Sequence, residues 1–169
     1  MLDALRSFRC CLDEDIEIFL QQKAVPFLER RWCSVYLMVD EGAFDAGRIQ
    51  IAGYFTLSHK TLIPSTASKR NIQHVSGFKD SASLHFVLIG QLGKYIARTA
   101  DGRLCRTNLS SRELLDAAFE VIRASSAYIP CRCVMVECSD NKKVQKAYTD
   151  YAFKFFQFDG EHYQFYKVL

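Results

Sequence analysis

Glu137-Cys-Ser-Asp-Asn-Lys-Lys-Val-Gln-Lys-Ala-Tyr-Thr-Asp-Tyr-Ala-Phe153 ends a short apolar strand at Asp140-Asn141 and opens a helix that carries Tyr148 seven residues after Asn141. Seven residues is close to two α-helical turns, so Asn141 in the first turn and Tyr148 further along share a face and can address one ligand. The residues on either side decide what that face belongs to.

Upstream, Cys131–Cys138 reads as a buried strand, and Ile129-Pro130 before it closes a helix. That helix opens with Ser110-Ser-Arg-Glu113, a capping box ahead of Leu114, Leu115, Ala118, Phe119 and Ile122. The dense apolar run Leu84–Leu92 reads as a central strand buried on both faces. Strand, helix, strand in this order predicts two neighbouring parallel strands joined by a right-handed crossover. Downstream, Phe153–Phe158, an Asp159-Gly160 turn and His162–Leu169 predict a terminal hairpin.

Nearer the N-terminus, Leu12–Leu28 has helical periodicity with Asp13 as N-cap, and Pro26 is expected to end or kink it. Cys33–Val39 and Ile49–Leu57 predict an antiparallel strand pair across a Gly42–Gly47 turn. Ser58–Ser83 is polar and aperiodic and predicts a long loop with room for a short helical turn. Ile96–Leu104 is a polar insertion with a turn at Asp101-Gly102.

A chain of 169 residues with 49% hydrophobic and 24% charged residues suits one globular domain with a substantial core. No run of about 18 apolar residues occurs and the first residues lack a secretory core, which predicts a cytoplasmic protein with no membrane partner. The seven cysteines are odd in number and lie mostly in apolar segments, as buried reduced thiols do. Cys131, Cys133 and Cys138 have no second Cys/His pair at zinc-like spacing, so no metal is expected. A net charge of +3 is too mild for a nucleic-acid signature, although Arg30-Arg31, Lys69-Arg70, Arg98–Arg106 and Lys142-Lys143 are local clusters that suit a polyanion or a solvated face.

In this order of elements the chain resembles the GNAT acyltransferases over nearly its whole length. The resemblance implies an α/β fold: a single GNAT-like domain over residues 1–169, with a mixed central sheet flanked by helices and a C-terminal strand hairpin. The best local match is the opening segment, where Asn141, Tyr148 and Ala152-Phe153 stand at the spacing of the family's Asn, Tyr and Gly-Phe. Alanine in place of that glycine is harmless if the turn needs no positive φ.

The resemblance further implies acetyl-CoA as cofactor. Its diphosphate loop falls on Arg106, Thr107, Asn108, Leu109, Ser110 and Ser111, which keep the basic residue but neither small position. Amides at a helix start bind phosphate with or without glycine. Ser110 and Ser111 either add hydroxyl donors or simply cap the helix. Leu92, Gly93 and Lys94 fall where the family's strand end pairs with the pantetheine arm and donates an N–H to the thioester carbonyl; Gly90 and Gly93 would equally serve a bulge.

The implied reaction is direct attack of a neutral primary amine, small or macromolecular, on acetyl-CoA, with Tyr148 as general acid. An ordinary phenol, with a pKa of about 10, is protonated at neutral pH and can donate to a departing thiolate. On helical spacing alone, Tyr148 also reads as a core aromatic beside Val144 and Tyr151. Glu137, His85, Asp140 or a water chain could act as base, and none is assigned. The N-terminal half, Leu12–Leu20 with Val35–Val39 and Ile51–Leu57, is similar to the compact GNAT-type toxins, which implies aminoacyl-tRNA as acceptor and an antitoxin as partner. A third reading is a GNAT-like module that binds CoA or a partner without catalysis.

Overall fold

The computed structural model describes all 169 residues. It begins with α1 (Leu2–Ser7), absent from the sequence reading, followed by α2 (Glu14–Ile18), a π-helical turn (Phe19–Lys23) and α3 (Ala24–Glu29). Asp13 caps α2 as expected, accepting the Ile16 N–H at 3.3 Å. Pro26 neither ends nor sharply breaks the segment, because it sits within α3 just after the widened turn. Proline has no N–H to donate and crowds the carbonyl four residues back, and the wider turn accommodates both defects.

β1 (Ser34–Val39), α4 (Glu41–Asp45), β2 (Ile51–Leu62), α5 (Lys69–Ser76) and β3 (Leu84–Lys94) come next. They are followed by β4 (Ile96–Arg98), β5 (Leu104–Arg106), α6 (Ser111–Ser126), β6 (Cys133–Cys138), α7 (Lys142–Asp150), β7 (Lys154–Phe158) and β8 (Tyr163–Val168). Six strands are hydrogen-bonded in the order β1-β2-β3-β6-β8-β7, while β4 and β5 form a separate ribbon. The expected mixed α/β sheet is present: β1 and β2 are antiparallel, β3 and β6 parallel, and β8 antiparallel to both β6 and β7.

The predicted loop over Ser58–Ser83 is corrected in two places. β2 continues to Leu62, and α5 is a capped helix whose Ser68 Oγ accepts the Asn71 N–H at 3.1 Å and whose C-cap is Gly77 at φ 84°. The polar insertion is the β4/β5 ribbon, turning at Gly102 with φ 83°. β3 is not buried throughout, since His85 and Gly90 are exposed.

Packing divides the chain into two compact units, Met1–Leu57 with Gln91–Ala117 and Ser58–Gly90 with Ala118–Leu169. The core of the first gathers Phe8, Phe19, Leu20, Ile51 and Tyr54. Tyr54 is fully buried, and its hydroxyl donates to the Ile16 carbonyl at 2.7 Å, which ties β2 to α2.

The core of the second unit gathers Val75, Leu84, Phe86, Cys133, Met135, Phe156 and Tyr166. Side chains from the corrected segment cover the outer strand there. Asn71 Nδ2 donates to the carbonyls of Phe155 and Phe156 at 3.3 and 3.2 Å, and Thr66 Oγ1 to that of Phe158 at 3.1 Å. Burial pushes the thiols of Cys10, Cys133 and Cys138 up to about 11, so they are protonated and inert at neutral pH. Cys11 and Cys105 depart from the buried expectation and are exposed.

Candidate functional site

In the second unit, the parallel ladder places Val87, Leu88 and Ile89 opposite Val134, Met135 and Val136. β6 ends at Cys138, and Asn141 then caps α7, its Oδ1 accepting the N–H groups of Lys143 and Val144 at 3.1 and 3.3 Å. The Asn141 oxygen is therefore committed to the helix start, which leaves the side-chain NH2 as the group a ligand would meet.

Tyr148 lies two turns on and is 7% exposed. Its ring contacts Phe153 and Phe165 at centroid distances of 5.8 and 6.1 Å. The end of α7 holds it there. The Phe153 N–H reaches the Tyr148 carbonyl at 3.0 Å and the Ala152 N–H reaches that of Thr149 at 2.9 Å, the paired bonds of a Schellman terminus with its characteristic apolar contact. That motif needs a left-handed residue, and Ala152 has φ 66°. The condition on which alanine would be harmless is not met: the turn does require positive φ, and a Cβ there is strained.

Each candidate base has a partner. Glu137 Oε1 lies 2.6 Å from Lys60 Nζ and accepts Gln164 Nε2 at 2.6 Å. Gln164, fully buried, also donates to Asp159 and accepts from Gln157. Asp140 pairs with Lys142 at 2.7 Å, and that bond holds its carboxyl below the usual range. His85 Nδ1 is 3.1 Å from Thr61 Oγ1. The Lys60 and Gln164 contacts were not legible from the sequence, because both residues lie far from Glu137 along the chain.

In the first unit, Ser110 and Glu113 form the expected capping box. The Ser110 N–H donates to Glu113 Oε2 at 2.7 Å, and the Glu113 N–H to Ser110 Oγ at 3.1 Å. These bonds from Ser110 hold the Glu113 carboxyl below its ordinary range. Arg106 ends β5 opposite Ile96, and Thr107 Oγ1 donates to the Ala52 carbonyl at 3.2 Å. Leu109 packs on Gly53, where an added Cβ would come within 2.5 Å of Leu109 Cδ2 and 2.8 Å of the Gly93 carbonyl oxygen.

Gly93 is itself filled from within, because a Cβ there would meet Ile16 Cγ2 and lie 2.7 Å from Tyr54 Cε1. Close packing of Tyr54 thus accounts for this glycine. Nearby, the Gln91 N–H donates to Thr56 Oγ1 at 2.9 Å, and that of Tyr95 to the Ala52 carbonyl at 2.8 Å. Leu92, Gly93, Lys94 and Arg106–Ser111 all belong to the first unit, and Asn141 and Tyr148 to the second. At the α6 start the amides of Ser110 and Glu113 are taken up by the capping box, and the helix dipole is the feature that favours an anion there. Glu113 puts a carboxylate at the same end.

The strand order, the parallel β3–α6–β6 crossover and the closing hairpin define the GNAT acyltransferase fold. The chain is similar to AtaT complexed with acetyl-methionyl-tRNAfMet (TM-score 0.72, 19% identity, covering 97% of this chain and 86% of that one). It is also similar to a tyrosine-to-phenylalanine mutant of the AtaT toxin bound to the C-terminus of the antitoxin AtaR and acetyl-CoA (0.68, 18%, 99% and 89%). A tyrosine-to-phenylalanine mutant of KacT matches as well (0.69, 16%, 96% and 85%). No family profile and no curated protein sequence matches the chain.

Proposed function

We propose that residues 1–169 form one acetyl-CoA-dependent N-acetyltransferase that acts in the cytoplasm and transfers an acetyl group to a primary amine by direct attack. The observation that carries this reading is the placement of Tyr148. It is a buried tyrosine two turns into the helix after the parallel strand, fixed by a Schellman terminus, in a fold whose solved examples include AtaT with acetyl-CoA.

Acetyl-CoA, when bound, supplies the activated acyl group. Leu92, Gly93 and Lys94 are assigned to orient the thioester, with a backbone N–H aimed at its carbonyl oxygen. The α6 start from Arg106 to Ser111 is assigned to the diphosphate and Asn141 to the cofactor arm. The Tyr148 phenol donates a proton to the departing sulfur. Glu137, Asp140 and His85 each have a neighbouring partner, and no base is assigned among them or a bound water chain.

A second reading narrows the acceptor to the amino group of an aminoacyl-tRNA, with an antitoxin as protein partner. It is favoured by the likeness to AtaT, which is solved with acetyl-methionyl-tRNAfMet and with AtaR. No helix is long and apolar enough to cross a membrane. The experiment is thiol release from acetyl-CoA with a panel of amines that includes charged tRNA. Release with any amine supports transfer, and selective release with charged tRNA supports the toxin reading. CoA binding without release from any acceptor would instead establish a non-catalytic module.

A further inference from the structure

Within the second unit, the amino ends of β3 and β6 border a cleft of about 350 Å³. It lies at the opposite end of the parallel pair from its carboxyl ends, where ligands of open α/β sheets usually sit. Its lining residues include His59, His85, Arg132, Ser81, Ser83 and Phe78, and none of them is acidic. The size is that of a small-molecule site.

The groups divide by chemistry. Arg132 carries a permanent charge and a planar fork of donors suited to phosphate oxygens. Its backbone is anchored by the Leu169 N–H, which donates to the Arg132 carbonyl at 3.0 Å. His85 has Nδ1 engaged by Thr61 at 3.1 Å, so a ligand would be met by Nε2. Phe78 is 73% exposed although large and apolar, and it is held in place by its N–H to Ser76 Oγ at 2.9 Å. An exposed ring beside cationic and hydroxyl donors is the combination that stacks a base while holding its phosphate.

We propose that this cleft binds a nucleoside monophosphate unit, free or within single-stranded RNA, separately from the acetyl-CoA site. Arg132, His59 and His85 take the phosphate, Ser81 and Ser83 its remaining oxygens or the ribose, and Phe78 stacks on the base. The assignment does not depend on acetyl transfer, because the two sites are read by different measurements.

The test measures binding of 5′-AMP and of a short single-stranded RNA to the full chain carrying one equivalent of CoA, which occupies the cofactor site without an excess of cofactor to compete at the cleft. Arg132→Ala and Phe78→Ala are each expected to weaken binding about tenfold or more, and Phe78→Trp to restore it. CoA affinity and the thermal midpoint should be unchanged in all three. Binding of AMP alone identifies a free nucleotide as the ligand, and binding of the RNA alone a polynucleotide. No binding of either probe, or equal binding by wild type and both alanine variants, overturns the proposal. Absence of thiol release with intact AMP or RNA binding would overturn only the transferase reading.

Discussion

Lys60 Nζ and Glu137 Oε1 lie 2.6 Å apart, linking the far end of β2 to β6 with both side chains largely shielded from solvent. Gln164 donates to the same carboxylate oxygen at 2.6 Å, so the pair sits within a satisfied polar network. Removing Lys60 would leave a half-buried carboxylate without its cation. Lys60→Met is expected to lower unfolding stability by about 1–3 kcal/mol in urea titrations. A smaller loss when Lys60→Met is combined with Glu137→Gln, which leaves neither charge unpaired and keeps an acceptor for Gln164, would show that the cost lies in the unpaired charge.

Glu113 completes the capping box but adds negative charge where a diphosphate is proposed to dock. Glutamine serves equally well at that box position. Glu113→Gln should therefore keep α6 intact and tighten CoA binding about two- to fivefold, an effect that fades with added salt. Calorimetry at two ionic strengths measures both. Unchanged or weaker affinity would place the diphosphate elsewhere.

Tyr148→Phe removes the proton donor while preserving the ring contacts with Phe153 and Phe165. Thiol release should fall by about a hundredfold or more, with CoA affinity unchanged. Full activity in this variant would show that Tyr148 is a core aromatic only.

Ala152 carries the left-handed backbone of the α7 terminus with a Cβ in place. Ala152→Gly relieves strain but adds freedom to the unfolded chain, and the net gain should be about 0.5–1 kcal/mol. Chemical denaturation reports it directly.

Asp159 accepts the N–H groups of His162 and Glu161 in the closing turn, and these bonds hold its carboxyl below the usual range. A lowered folded-state pKa means that the turn's contribution is fully present above the unfolded value of about 3.9. It is lost as pH falls through the lower folded value. Thermal midpoints should decline below about pH 4, and Asp159→Asn should make that decline shallower.

The elements with a local chemical signature were legible in the sequence. Ser110 and Glu113 mark the start of α6, Asp13 caps the helix assigned to it, Asp159-Gly160 makes the hairpin, and Asn141 stands at the start of α7 as its cap rather than in its first turn. The segment after β2 was not, because Lys69–Ser76 buries only Val75 and its cap, Ser68, is not followed by a glutamate. The roles of Gly93 and Ala152 were also hidden, since one depends on Tyr54 arriving from another strand and the other on a backbone angle. At the candidate site, Tyr148 and the α6 start were readable as positions. The partners of Glu137 were not, because Lys60 and Gln164 reach it only through the folded sheet.

The side chains of Asn71 and Thr66 do for β7 what a further strand would have done. A sheet border with open carbonyls is a template on which another chain can build. Here the carbonyls of Phe155, Phe156 and Phe158 are already taken by the protein's own residues, beside the exposed rings of Phe155 and Phe158. Strand addition at this border, by a partner peptide or by a second copy, would first have to displace Asn71. The aromatic surface can thus face solvent without offering the backbone row that turns such a surface into a seed for aggregation.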